Sequence, residues 1–133
     1  MQAVFYRDPD GNEPVLDVLN SLPDRKRAVI ENQLDRLNMQ EPDEPPLPQP
    51  WTSQVDGELR EFRAHYGQEH YRVLYRRSGN LLILLHMIRK TTGSIPKRDI
   101  VVAKERWADF KRRMDNAKRT PPRAAGHDAP RGR

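Results

Sequence analysis

Arginine, lysine, histidine and tyrosine recur through one stretch of this 133-residue chain: Arg60, Arg63, His65, Tyr66, His70, Tyr71, Arg72, Tyr75, Arg76, His86, Arg89 and Lys90. Cationic groups projecting from consecutive strands suit a phosphodiester, and aromatic rings among them can stack unpaired bases. The imidazoles add groups that titrate near neutrality. No familiar catalytic signature accompanies them: the chain has no phosphate-cradling glycine loop, no HExxH, no Gly-x-Ser-x-Gly and no dinucleotide fingerprint. The absence of cysteine excludes disulfides, thiolate nucleophiles and cysteine-bound zinc. Only His, Asp and Glu remain as metal ligands, and no motif asks for a metal or a cofactor.

Charge is segregated along the chain. Residues 1–56 hold five Lys and Arg against eleven Asp and Glu, residues 57–113 hold fourteen against six, and residues 114–133 hold five against two. The net +5 therefore conceals an acidic first part and a strongly basic second part. A basic folded surface binds polyanions by neutralising phosphates and releasing counterions. A merely solvated basic face has the same composition, so charge alone leaves both readings open. Length allows one domain and a thin core, since only 35% of residues are apolar. The longest apolar run is the five residues Leu81 to Leu85, and the N-terminus lacks a signal-peptide pattern. A soluble, cytoplasmic protein with no membrane segment is expected.

These side chains need a scaffold, and hydrophobic periodicity supplies one. Alternation over Gln2 to Arg7 predicts a strand, closed by the turn signal Asp8-Pro9-Asp10-Gly11. Asn12 is placed to cap a short helix with Pro14 in its first turn, burying Val15, Leu16, Val18 and Leu19. After Pro23, Asp24 is placed to cap a second helix with Ile30, Leu34 and Leu37 on one face. Residues 41–50 contain five prolines and predict an extended strut. Three strands should follow, at Glu58 to His65, His70 to Arg77 and Asn80 to Arg89, with turns at Gly67 and at Ser78-Gly79-Asn80. The last is apolar on both faces and should lie centrally. A final helix from Pro96 to Met114 carries the stripe Ile100, Ala103, Trp107, Phe110 and Met114. Residues 114–133 have the composition of a disordered basic tail. The fold class is α+β: an N-terminal strand and helical hairpin, a three-strand antiparallel meander, and a C-terminal helix, within a domain of residues 1–113.

Several candidate site residues also have packing readings. His86 falls in phase with Leu82 and Leu84, where a core histidine and a general acid or base are both open. His65 and His70 flank a tight turn and read better as a surface pair than as a dyad or metal site. Tyr71 and Tyr75 share a face with Val73 and read better as core than as base-stacking rings, and Trp51, just after the proline strut, reads better as cover for a core edge than as an RNA-binding ring.

The order Glu58-Leu59-Arg60, Tyr71-Arg72-Val73-Leu74-Tyr75, Leu84-Leu85-His86-Met87-Ile88-Arg89-Lys90-Thr91 and Ile95-Pro96, followed by a helix with Ile100 and Ala103, resembles the phage-derived HigB-like branch of the RelE/ParE toxin superfamily. Pro14-Val15-Leu16 with Leu19, and the Leu22-Pro23 break, extend the likeness over about residues 1–113. The family's paired lysines appear here as Arg89-Lys90, and the segment 91–95 is one residue longer. The resemblance implies a RelE-like fold and a type II toxin, a ribosome-dependent mRNA endonuclease neutralised by an antitoxin with a helix-turn-helix domain. Two further readings stay open: a ParE-like gyrase poison without nuclease activity, and a phage regulator that binds nucleic acid without cutting.

RNA carries its own nucleophile in the 2′-hydroxyl, so cleavage needs alignment, proton transfer and stabilisation of phosphorane charge, and no metal. On that reading Arg60 and Arg72 are the phosphate clamps, because guanidinium meets two phosphate oxygens at once. Lys90 contributes charge or exchanges a proton, and His86 completes the catalytic candidates. Arg63, Arg76, Arg89 and Lys97 are the RNA-binding candidates.

Overall fold

In the computed structural model, which describes residues 1–89, 93–115 and the backbone of 126–128, β1 (Gln2–Tyr6) is buried along its whole length. Its side chains alternate between two cores, Ala3 and Phe5 in one, Val4 and Tyr6 in the other. A strand buried on both sides must lie inside a sheet covered on both faces. The rest of the fold supplies the covers. Helices α1 (Pro14–Asn20) and α2 (Asp24–Met39) pack on one face through Val15, Leu19, Ile30, Leu34 and Leu37. Helix α3 (Lys97–Met114) packs on the other through Ala103 and Phe110, with Ile100, Trp107 and Met114 partly buried beside them.

Between these layers run β2 (Thr52–Asp56), β3 (Leu59–Tyr66), β4 (Glu69–Ser78) and β5 (Leu81–Arg89). With a short β6 (Gly126–Asp128) they form one sheet of order β2-β3-β4-β5-β1-β6. β1 runs parallel to β5, and the remaining pairs are antiparallel. Gly67 and Gly79 open the two-residue turns at the ends of β4 with φ near +60°, the backbone that tight hairpins require and that a side chain resists.

The expected layout holds, with five differences. The meander has a fourth strand, β2, at an edge: its residues alternate weakly and its buried member is the polar Thr52. Neither helix of the hairpin uses a side-chain cap. Glu13 rather than Asn12 precedes α1, while Asp24 sits inside α2 and bonds Arg27 at 2.9 Å. Val18 stays 40% exposed, because a helix of seven residues presents too narrow a face to bury all four of its apolar side chains. β6 adds a short antiparallel edge beside β1 inside the segment expected to lack structure; the rest of residues 116–133 lies outside the described residues.

The fifth difference changes where a candidate side chain points. Leu74 pairs with His86 and Tyr75 with Leu84, so Leu85 is a bulge residue. The bulge breaks the alternation. Leu85 lies in the core beneath α3 and His86 also meets α3, so His86 leaves the phase of Leu82 and Leu84, which face the helical hairpin.

A buried charge cluster ties α3 to β1. The Asp109 carboxylate accepts hydrogen bonds from the Tyr6 hydroxyl at 2.6 Å and from Arg113 at 2.6 Å. Burial, and then the Asp109 carboxylate, push the Tyr6 hydroxyl up to about 12. Burial alone would raise Asp109, but the bonds from Arg113 and Tyr6 and the charges of Arg113 and Arg112 outweigh it and hold the carboxyl below its ordinary value. A depressed carboxyl contributes stability that is complete above its unfolded value of about 3.9 and is lost as pH falls through the folded value. Acid titration followed by circular dichroism should therefore show stability falling below about pH 4, and Asp109→Asn should flatten that part of the profile.

Candidate functional site

Where β2, β3 and β4 run past the start of α3, the face that α3 leaves uncovered holds a cleft of about 410 Å³. Ser53, Glu61, Arg63 and Arg72 line it together with the segment Gly93 to Ile95. Strand pairing explains the convergence. Arg63 stands opposite Arg72 across the β3–β4 ladder, and Ser53 stands opposite Glu61 across β2–β3. Glu61 and Arg63 are two residues apart, so they share a face.

The two guanidiniums are held rather than free. Glu61, only 2% exposed, accepts a bond from Arg63 Nε at 2.7 Å and from the Ser53 hydroxyl at 3.1 Å through Oε1. Its Oε2 lies 4.0 Å from Arg72 and has no hydrogen-bond partner. Arg72 donates to the Gly93 carbonyl at 2.6 Å, which draws the segment before α3 toward the sheet. Gly93 has φ near +87°, a conformation that glycine adopts without strain. The start of α3 beside this segment adds the positive end of a helix dipole. One buried carboxylate, two guanidiniums and a helix start leave positive charge facing the cleft, an arrangement that suits an anion.

The other candidates lie elsewhere. Arg60 is on the opposite face, donating to the Thr52 hydroxyl at 2.8 Å and lining a small hollow with Tyr75 and Leu82 beneath the proline strut. Arg60 and Arg72 therefore do not converge on one phosphate. Arg76 shares the α3 side but is engaged, bonded to Glu58 at 2.6 Å with its guanidinium 4.3 Å from the Trp107 ring centroid. Arg89 lies over the Tyr71 ring at 5.6 Å, on the helical-hairpin side. Lys97 is exposed at the first position of α3. Lys90 lies outside the described residues.

His86 has both ring nitrogens occupied. Arg106, half-buried and lowered in pKa by desolvation, donates to the Leu85 carbonyl at 2.8 Å and lies 3.1 Å from Nδ1. An arginine only donates, so Nδ1 accepts. The ring proton then sits on Nε2 and is donated to Asp99 at 2.7 Å. The Asp99–His86–Arg106 chain fastens α3 to β5 and leaves no imidazole nitrogen for a substrate. Tyr71 and Tyr75 are buried, and the His65 and His70 rings stack at 5.7 Å across their turn.

Sequence reading missed Glu61, Ser53 and Gly93. Glu61 carried a usable signal, an acidic residue in phase with a nearby arginine on one strand. Ser53 carried none, because β2 itself was invisible, and nothing in the sequence pairs Gly93 with Arg72.

A family model for phage-derived Gp49-like proteins (DUF891) matches residues 17–108, from within α1 to within α3. No curated protein matches the chain. The matched span contains the whole cleft and most of both helical layers, and the chain belongs to the phage-derived Gp49-like family, a RelE/HigB-like toxin-type family.

Proposed function

We propose that the protein is the toxin of a type II toxin-antitoxin system, of the HigB-like branch, that cuts mRNA on the ribosome and is neutralised by an antitoxin with a helix-turn-helix domain. The observation that carries this reading is the pairing of Arg63 and Arg72 over a buried Glu61 in an open cleft. Membership of a toxin-type family supports it independently.

In the proposed reaction the 2′-oxygen attacks phosphorus, the bond to the 5′-oxygen breaks, and the 2′-proton is lost while the leaving oxygen gains one. Arg72, with Arg63 beside it, holds two non-bridging oxygens and stabilises the charge of the phosphorane. Glu61 acts as a positioning residue, bonding Arg63 and facing Arg72 at 4.0 Å without touching substrate, since its free oxygen is shielded from solvent. Lys90, just beyond β5, supplies further charge or exchanges a proton. Arg60, on the far face, is left a structural role between β3 and the strut.

A gyrase poison of the same fold needs no paired cations in an open cleft, so the cleft favours cutting. Expression alone should arrest growth, and co-expression of the partner antitoxin should restore it. Purified protein added to a translating extract should cut mRNA. A supercoiling defect with intact mRNA would replace this reading with gyrase poisoning.

The occupied nitrogens of His86 give a sharper expectation. His86→Gln should cost about 1 kcal/mol of stability through half-buried groups left unpaired and leave cleavage per folded molecule near parental. Melting curves and single-turnover cleavage check the two halves separately. A folded variant that no longer cuts would return His86 to the catalytic set.

A further inference from the structure

A second cavity, of about 360 Å³, opens beside the cleft on the side of α2. Trp51, His65, His70 and Gln33 stand on its wall, with Arg63 shared between the two cavities. No carboxylate is among the described residues that line it. We infer that this cavity takes an unpaired nucleobase of the RNA, next to the nucleotide whose phosphate lies at Arg63 and Arg72. This rests on the proposed RNA-cutting function and adds a subsite to it.

Each part of the wall suits that ligand. Trp51 is half-exposed, and the Arg36 guanidinium lies 5.0 Å from its ring centroid, which holds the indole in place. The His65 and His70 rings stack on each other and present a second aromatic surface. A base has two π-faces to offer such walls, and stacking tolerates any sequence. Gln33 carries both a donor and an acceptor for a base edge. Arg63 joins the subsites: its backbone N–H bonds the Trp51 carbonyl at 2.9 Å, while its side chain reaches the cleft. A nucleotide chain offers the same combination, a phosphate beside a flat ring. An acidic protein segment would satisfy Arg63 and leave the aromatic walls without stacking partners.

The test uses full-length protein and fluorescein-labelled, uncleavable 2′-O-methyl oligonucleotides, one complete and one with an abasic nucleotide at each position in turn. Anisotropy titration should show one abasic position that weakens binding about tenfold, within the range of one stacked base. Trp51→Ala should weaken the complete oligonucleotide to the same level and remove the abasic effect, while Trp51→Phe keeps most of it. In cleavage, Trp51→Ala should raise KM more than it lowers kcat. Equal binding of complete and abasic oligonucleotides would overturn the inference whatever the variants do. So would loss of antitoxin binding in Trp51→Ala with RNA affinity unchanged, which would make the cavity a protein-docking site. A protein that shows the abasic effect and cuts no mRNA would leave the base site standing and remove the nuclease reading alone.

Discussion

Replacing Arg72 by alanine is expected to slow mRNA cleavage about a hundredfold, the loss of on the order of 3 kcal/mol of transition-state stabilisation that follows removal of one preorganised donor. Folding should register the change too. The Arg72 side chain is only 11% exposed and faces the buried Glu61, so its removal leaves that carboxylate with Arg63 and Ser53 alone. A buried charge left with less compensation is costly, and a fall of about 1–3 kcal/mol in stability should accompany the loss of activity. Adding Glu61→Gln to Arg72→Ala separates the two effects: the melting temperature should recover while cleavage stays low. Arg72→Lys should keep the charge but lose the bidentate fork, and cut at an intermediate rate. Full recovery of cleavage in the double variant would assign Arg72 to packing.

The largest expected loss of stability belongs to Phe110→Ala. Phe110 is 1% exposed, stacks with Trp107 at 5.8 Å, and is the largest side chain that α3 buries against the sheet. Removing a buried phenylalanine costs about 3–5 kcal/mol, a large share of the roughly 5–15 kcal/mol that holds a domain together. Toxicity should disappear with the folded protein, in contrast to Arg72→Ala, where folded protein persists without cutting. Denaturant titration of both variants distinguishes them. A Phe110→Ala protein near parental stability would mean that the sheet, rather than α3, carries the fold.

Strong periodicity made most of the scaffold legible. The stripe from Ile100 to Met114 and the doubly apolar run from Leu81 to Leu85 each admitted a single packing solution, a helix over a sheet and a central strand. β2 escaped because an edge strand with a polar buried residue leaves almost no period-two signal. The candidate site was legible as a set of residue types and less so as a geometry. Alternation is enough to separate Arg60 from Arg63, since an odd number of residues along one strand puts them on opposite faces. The opposition of Arg60 and Arg72 depends on which residue of β3 meets which of β4, a register that the tight turn flanked by His65 and His70 implies once pairs are counted outward from it. The bulge at Leu85 was hidden, and it alone moves His86 from the helical-hairpin face to α3. Glu61 shows what charge counting overlooks: one acidic residue set among many bases, where burial makes it an organiser of the cations around it.

The central proposal, that this chain cuts mRNA by attack of the 2′-hydroxyl at the Arg63–Arg72 cleft, is tested most directly by the ends it leaves. Purified protein should be added to ribosomes translating a defined mRNA, and the fragments mapped and their termini identified. The account predicts a 2′,3′-cyclic phosphate on the upstream fragment and a 5′-hydroxyl on the downstream one. It also predicts no cut where the scissile nucleotide is replaced by its 2′-deoxy form, and a rate about a hundredfold lower with Arg72→Ala. Intact mRNA, a 3′-hydroxyl with a 5′-phosphate, or an undiminished cut at the deoxy position would contradict it.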